Sequence, residues 1–101
     1  MSEERRVVLC GFMGTGKSTV GPLLAERLGG RFVDLDDALE QRFGMPIRRV
    51  FDQKGEEAFR AAEADLCRRV ESLGAVVVAV GGGAVVSEAN RKALTRFGDL
   101  V

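Results

Sequence analysis

Gly11-Phe12-Met13-Gly14-Thr15-Gly16-Lys17-Ser18 fits the pattern G-x-x-x-x-G-K-[ST] in full, and Thr19 follows it. In such a stretch successive backbone N–H groups converge at a helix N-terminus, where the helix dipole is positive, so an anion is held there. Glycines at 11, 14 and 16 let the backbone approach a phosphate with no Cβ in the way. The flanks agree with this reading. Arg6 to Phe12 is an apolar run ending in glycine, as a strand covered on both faces requires. Downstream, Val20, Leu23, Leu24 and Leu28 recur three and four apart. They predict a helix from about Lys17 to Leu28 with those residues on its buried face, closed by Gly29-Gly30. Pro22 lies inside that helix and is expected to kink it.

Working outward, Arg31 to Asp36 reads as a second strand. Asp37 and Glu40 are spaced as a capping box for the next helix, which stops at Gly44. Pro46 opens a short turn carrying Ile47, Val50 and Phe51, and Gly55 breaks it. A longer helix is predicted with Phe59, Ala62, Leu66, Val70 and Leu73 buried. Ala75 to Val80 is a third strand, ending in Gly81-Gly82-Gly83, and Ser87 caps a helix that finishes near Phe97-Gly98. Asp99-Leu100-Val101 has the pattern of a fourth strand just beginning, so the chain is expected to continue past it. Strands alternating with helices predict an α/β fold with a parallel sheet and right-handed crossovers.

Composition limits the function. The 101 residues suit one domain, and 46% hydrophobic with 30% charged residues is ordinary for a globular chain. Fifteen basic residues balance fifteen acidic ones, so the chain lacks the basic footprint of a nucleic-acid or membrane-surface binder. No apolar stretch is long enough to span a bilayer, and the polar N-terminus has no signal-peptide pattern. Cys10 and Cys67 sit in apolar patterns with no ligand spacing and no histidine anywhere, so both read as reduced core residues of a cytoplasmic protein.

The phosphate stretch assigns ATP as ligand, with Gly14, Thr15, Gly16, Lys17, Ser18 and Thr19 around its phosphates. Lys17 serves as a point charge for the β and γ phosphates and Ser18 as a hydroxyl ligand for Mg²⁺. Asp34 and Asp36 flank Leu35 at the end of the second strand, the edge of an open α/β sheet where ligands bind. One carboxylate suits Mg²⁺ through water and the other a substrate hydroxyl, while capping of the following helix is the alternative for both. Arg60 suits a planar carboxylate, or else pairs with Glu56 and Glu63 on its own helix. Three glycines after a buried strand leave bare backbone beside a ligand.

The succession Phe32-Val33-Asp34-Leu35-Asp36, Glu40, Gly44, Ile47, Phe51, Gly55-Glu56, Phe59-Arg60, Glu63 and Gly81-Gly82-Gly83-Ala84-Val85 resembles the shikimate kinases from about Arg6 to Val101. The resemblance implies a three-layer P-loop kinase fold and MgATP-dependent phosphorylation of a shikimate hydroxyl. By position it implies Lys17 and Asp36 as catalytic residues, with Asp36 binding the substrate hydroxyls and handling the proton of the attacking one. It further implies Ser18 and Asp34 at the metal, Arg60 on the shikimate carboxylate, and Gly81, Gly82 and Gly83 lining the ring. The family often has an acidic residue where this chain has Arg48-Arg49. Its lid, adenine-side loop and second carboxylate-binding arginine would lie beyond Val101. Residues 1–101 are therefore expected to be an incomplete kinase core, inactive alone and monomeric when full length. A P-loop kinase for another hydroxy acid such as gluconate, and a non-catalytic nucleotide-binding module, are the alternatives weighed.

Overall fold

The structure is a computed structural model that describes residues 5–11 and 15–100, the side chains of 11 and 15–19 excepted. Strands β1 (Val7–Gly11), β2 (Phe32–Asp34), β3 (Val77–Gly81) and β4 (Asp99–Leu100) form one sheet in the order β2-β3-β1-β4, with every neighbouring pair parallel. Helices are α1 (Thr15–Leu28), α2 (Leu35–Phe43), α3 (Ile47–Lys54), α4 (Glu56–Arg68) and α5 (Glu88–Phe97), with 3-10 turns at Val70–Leu73 and Gly82–Val86.

Alternation along the strands builds three layers. Val7, Leu9 and Val77 point to one face, where Ala25, Leu24 and Leu28 of α1 pack with Phe32. Val8, Cys10, Val78 and Val80 point to the other, against Leu66 and Cys67 of α4 and Ala93, Leu94 and Phe97 of α5. Val8, Val77, Val78 and Val80 are completely buried. Each such side chain contributes about 1.5–3 kcal/mol of transfer free energy. Leu39, Val50, Phe59 and Ala62 make a smaller core where α2, α3 and α4 meet.

The structure corrects several expectations. Helix α1 begins at Thr15 and continues past Pro22, and of its predicted face Leu24 and Leu28 pack towards the sheet beside Gly21 and Ala25, whereas Val20 is half exposed and Leu23 more so. Gly21 is the reason: a Cβ there would collide with Cε1 of Phe32, so the bare glycine face is what lies against the sheet. Strand β2 ends at Asp34, which caps α2 by accepting from the amides of Asp36 (2.9 Å) and Asp37 (3.4 Å). The predicted Asp37–Glu40 box is therefore absent. Glu40 instead accepts from the amide of Ile47 at 2.8 Å, so its carboxylate caps α3 behind Pro46, which has no side-chain donor or acceptor. Helix α4 stops at Arg68, and Val70 and Leu73 belong to a 3-10 turn in which the Ser72 hydroxyl donates to the Arg69 carbonyl. Gly44 ends α2 in the left-handed region and Ser87 caps α5, both as predicted.

Candidate active site

Strand register decides what meets at the carboxyl edge of the sheet. β3 lies between β1 and β2, with Gly11 opposite Gly81 and Asp34 opposite Ala79. The stretch that follows β1 therefore starts beside the triple glycine. Gly14 lies outside the described residues. Thr15, Gly16, Lys17, Ser18 and Thr19 are the first residues of α1, so their backbone forms the helix N-terminus expected of an anion site, and their side chains lie outside the described set.

Asp36 is the second residue of α2, because capping by Asp34 starts the helix at Leu35. The two carboxylates are thus separated by a strand-to-helix corner rather than by strand alternation. The Asp34 carboxylate turns back onto the helix amides through Oδ1, while Asp36 Oδ2 lies 3.9 Å from where a Gly81 Cβ would stand. Burial raises the pKa of neighbouring Asp37 above the usual carboxylate range, with the charges of Asp34 and Glu40 adding to it.

Gly81 ends β3, and Gly82 and Gly83 open the 3-10 turn, both exposed. The Arg60 guanidinium fills the space above Gly83: a Cβ there would sit 2.7 Å from Nη1 and 3.0 Å from Nη2. Arg60 reaches that position because three groups on α4 hold it. Nη1 donates to Glu63 Oε1 at 3.0 Å, Nε faces Glu56 Oε2 at 3.6 Å, and the guanidinium lies 5.2 Å from the Phe59 ring centre. The hydrogen bond to Glu63 raises the guanidinium pKa further, partly opposed by burial, and the charges of Glu63 and Glu56 add to the rise. The intrahelical pairing of Arg60 with Glu56 and Glu63 is therefore present, and it leaves the guanidinium against Gly83 at the edge of the strip. Glu63 is buried at 4% exposure, whereas Glu56 is exposed and only loosely paired. An incoming carboxylate would compete with Glu56 and leave Glu63 in place. A cleft of about 400 Å³ opens here, lined in part by Arg60, Glu63, Gly83, Val86 and Asn90.

The structure thus brings Asp36, Gly81, Gly82, Gly83 and Arg60 onto one strip that begins beside Gly11. Glu63 and Asn90, the two buried polar residues among the described ones, were not assigned a site role from the sequence. The available signal was a polar residue inside an apolar stripe: Glu63 beside Phe59, Ala62 and Leu66, and Asn90 ahead of Ala93, Leu94 and Phe97. Cys67 is fully buried and unpaired with sulfur, and burial pushes its thiol up to about 11, with the Glu63 charge adding. Among the described residues, no group of three or more His, Cys, Asp or Glu could hold a metal, and no helix is long and apolar enough to cross a membrane. A Mg²⁺ ion here would draw on hard oxygen donors, one hydroxyl and one carboxylate at most, with phosphates and water completing its shell. Of the two candidate ligands, Asp34 caps α2 through Oδ1, and the side chain of Ser18 lies outside the described residues.

An open parallel sheet with the phosphate-binding sequence at the end of its first strand defines the class of P-loop proteins. The chain belongs to the shikimate kinase family: the family model described as shikimate kinase matches residues 13–101. It is 50% identical to a shikimate kinase of Geobacter sulfurreducens over 99% of its own length and 55% of that protein's. A shikimate kinase of Geobacter metallireducens is 48% identical, again over 99% of this chain and 56% of the relative. A solved shikimate kinase from Acinetobacter baumannii in complex with shikimate superposes with a TM-score of 0.86 at 40% identity, covering 95% of this chain and 54% of that one. The chain spans about half the length of the curated relatives it matches.

Proposed function

We propose that this chain carries the phosphate-binding and acceptor-binding parts of a cytoplasmic enzyme that transfers the γ-phosphoryl group of MgATP to a hydroxyl of shikimate. One observation carries the reading: the Asp36 carboxylate and the Arg60 guanidinium stand at opposite ends of the Gly81–Gly83 strip, beside the strand that leads into the phosphate loop. A ring bearing a carboxylate and hydroxyls matches that strip in charge. Arg60 takes the carboxylate, the exposed glycine backbone lies against the ring, and Asp36 accepts from the hydroxyls. Asp36 then orients the attacking oxygen towards the phosphate loop and takes its proton as the O–P bond forms. Lys17 and the amides of Gly14 to Thr19 stabilise the charge on the transferring group. Ser18 and, through water, Asp34 would hold Mg²⁺, which when bound neutralises phosphate charge.

The complex of the Acinetobacter baumannii relative with shikimate supports the choice of acceptor. Asp36→Asn in the full-length protein is the test. The amide keeps the shape but cannot take a proton, so kcat is expected to fall by about 10² or more with the KM for ATP little changed. Near wild-type kcat with altered ATP affinity would move Asp36 to the nucleotide side and overturn the assignment.

A further inference from the structure

We propose that Asn90, with Arg91 beside it, is a positioning residue that sets acceptor affinity by fixing the glycine strip from behind. The proposal rests on the reading of Gly81–Gly83 as the backbone against which the acceptor lies. The turn Gly82–Val86 is too short to hold itself in place. It lies beyond the sheet ladder, which ends at Gly81. Three of its consecutive carbonyls are taken by the first turn of α5. Asn90 Nδ2 donates to the Ala84 carbonyl at 2.9 Å, and Arg91 Nη1 donates to Val85 at 2.8 Å and Val86 at 3.1 Å. Asn90 is itself held, since its own amide donates to the Ser87 hydroxyl that caps the helix. It is 5% exposed and the Ala84 it grips is fully buried, so no water can replace that hydrogen bond without a rearrangement of the turn.

The consequence reaches the site through Gly83. That residue is in close approach to the Arg60 guanidinium, and the same cleft is lined by Arg60, Gly83, Val86 and Asn90. A turn that drifts outward carries Gly83 towards Arg60, and a turn that drifts inward opens a gap there. Either movement changes the distance between the guanidinium and the backbone strip, which is the span a carboxylate-bearing ring must match. The hydrogen bonds that hold the turn come from α5, and its close approach is to Arg60, so acceptor affinity is expected to change more than nucleotide affinity.

The experiment compares Asn90→Leu, which keeps the shape and removes the donor, with Arg91→Ala, in the full-length protein. KM for shikimate and KM for MgATP are measured separately, with hydrogen exchange of amides 82–86 alongside. The expected result for Asn90→Leu is a rise of about tenfold or more in KM for shikimate, the scale of one lost hydrogen bond, with KM for MgATP within about twofold of wild type. Faster exchange at 82–86 should accompany it. Arg91 is exposed, so Arg91→Ala is expected to fold and to show the same split at smaller size. It keeps the proposal testable if Asn90→Leu does not fold. Unchanged KM for shikimate in a folded variant, or parallel rises in both KM values, overturns the proposal. If wild type phosphorylates a different hydroxy acid, the split is measured with that acceptor. The choice of shikimate then falls while the role of Asn90 is still decided by the split.

Discussion

Gly83→Ala tests the acceptor strip with a single methyl group. Gly83 has no positive φ, so alanine suits its backbone, and the three atoms nearest the new methyl all belong to Arg60. The new Cβ would stand 2.7 Å from Nη1, 3.0 Å from Nη2 and 3.2 Å from Cζ. Relief to an ordinary contact distance moves the guanidinium by about 1 Å. Nη1 is bonded to Glu63 at 3.0 Å, so the movement takes one of two forms. A straight retreat stretches that bond beyond hydrogen-bond range and strands a buried carboxylate, at a cost to stability of roughly 1–3 kcal/mol. A pivot about Nη1 keeps Glu63 satisfied and swings Nε and Nη2 away from the cleft. Both spoil the fork offered to a ligand carboxylate, a hydrogen bond to a charged group worth roughly 1.5–3 kcal/mol. At 1.36 kcal/mol per decade that is about 10- to 150-fold in affinity for the acceptor.

The assay is steady-state phosphorylation with shikimate and ATP varied independently, beside thermal melts of each variant. KM for ATP should not move. The double variant Gly83→Ala/Arg60→Ala adds a sharper measurement. If the methyl acts only through the guanidinium, the double variant binds shikimate no worse than Arg60→Ala alone, a strongly non-additive cycle. A folded Gly83→Ala variant with wild-type KM for shikimate, or an additive double variant, would refute the reasoning.

Asp34 has a structural duty as the cap of α2, and Asn and Ala separate it from any duty at the metal. Asp34→Ala should lose about 1 kcal/mol of stability and Asp34→Asn almost none, while both should raise the Mg²⁺ concentration needed for half-maximal rate. Gly21→Ala forces a methyl into the Phe32 ring and should lower stability by about 1–3 kcal/mol in a denaturant titration, with KM values of the folded enzyme unchanged. Cys67 should resist iodoacetamide at neutral pH until the protein unfolds. Its folded pKa of about 11 lies above the ordinary 9.0, so between those values the folded state keeps a proton that the unfolded state releases. Stability carried by this thiol is therefore complete below pH 9.0 and falls as pH rises towards 11, which melts across that window will check.

Much of the fold follows from interactions only a few residues long. The apolar runs before Gly11 and Gly81, the left-handed stop at Gly44, the break at Gly55 and the Ser87 cap all appear where the sequence predicts them. Each depends on side-chain period or on backbone chemistry within one turn, and both are written directly in residue order. The phosphate-loop motif is likewise written in residue order, its glycines, lysine and serine falling within one short stretch, and residues 12–14 of it lie outside the described ones.

What the sequence could not decide was every choice between near-equal local options. Asp34, Asp36 and Asp37 are all plausible caps, and the choice fell to the one at which strand β2 ends, which its pairing with β3 determines. Apolar spacing on α1 placed Val20, Leu23, Leu24 and Leu28 on one buried face, yet contact of Gly21 with Phe32 turned the helix so that Leu24 and Leu28 pack while Val20 and Leu23 are exposed. The site is the same kind of outcome. Asp36, Arg60, Gly81 and Gly83 are spread along the chain, Asp36 and Gly83 standing 47 positions apart, and nothing local draws them together. They meet because β3 inserts between β1 and β2, and because Glu63 and Asn90, buried by the packing of α4 and α5, bond to Arg60 and to the Ala84 carbonyl.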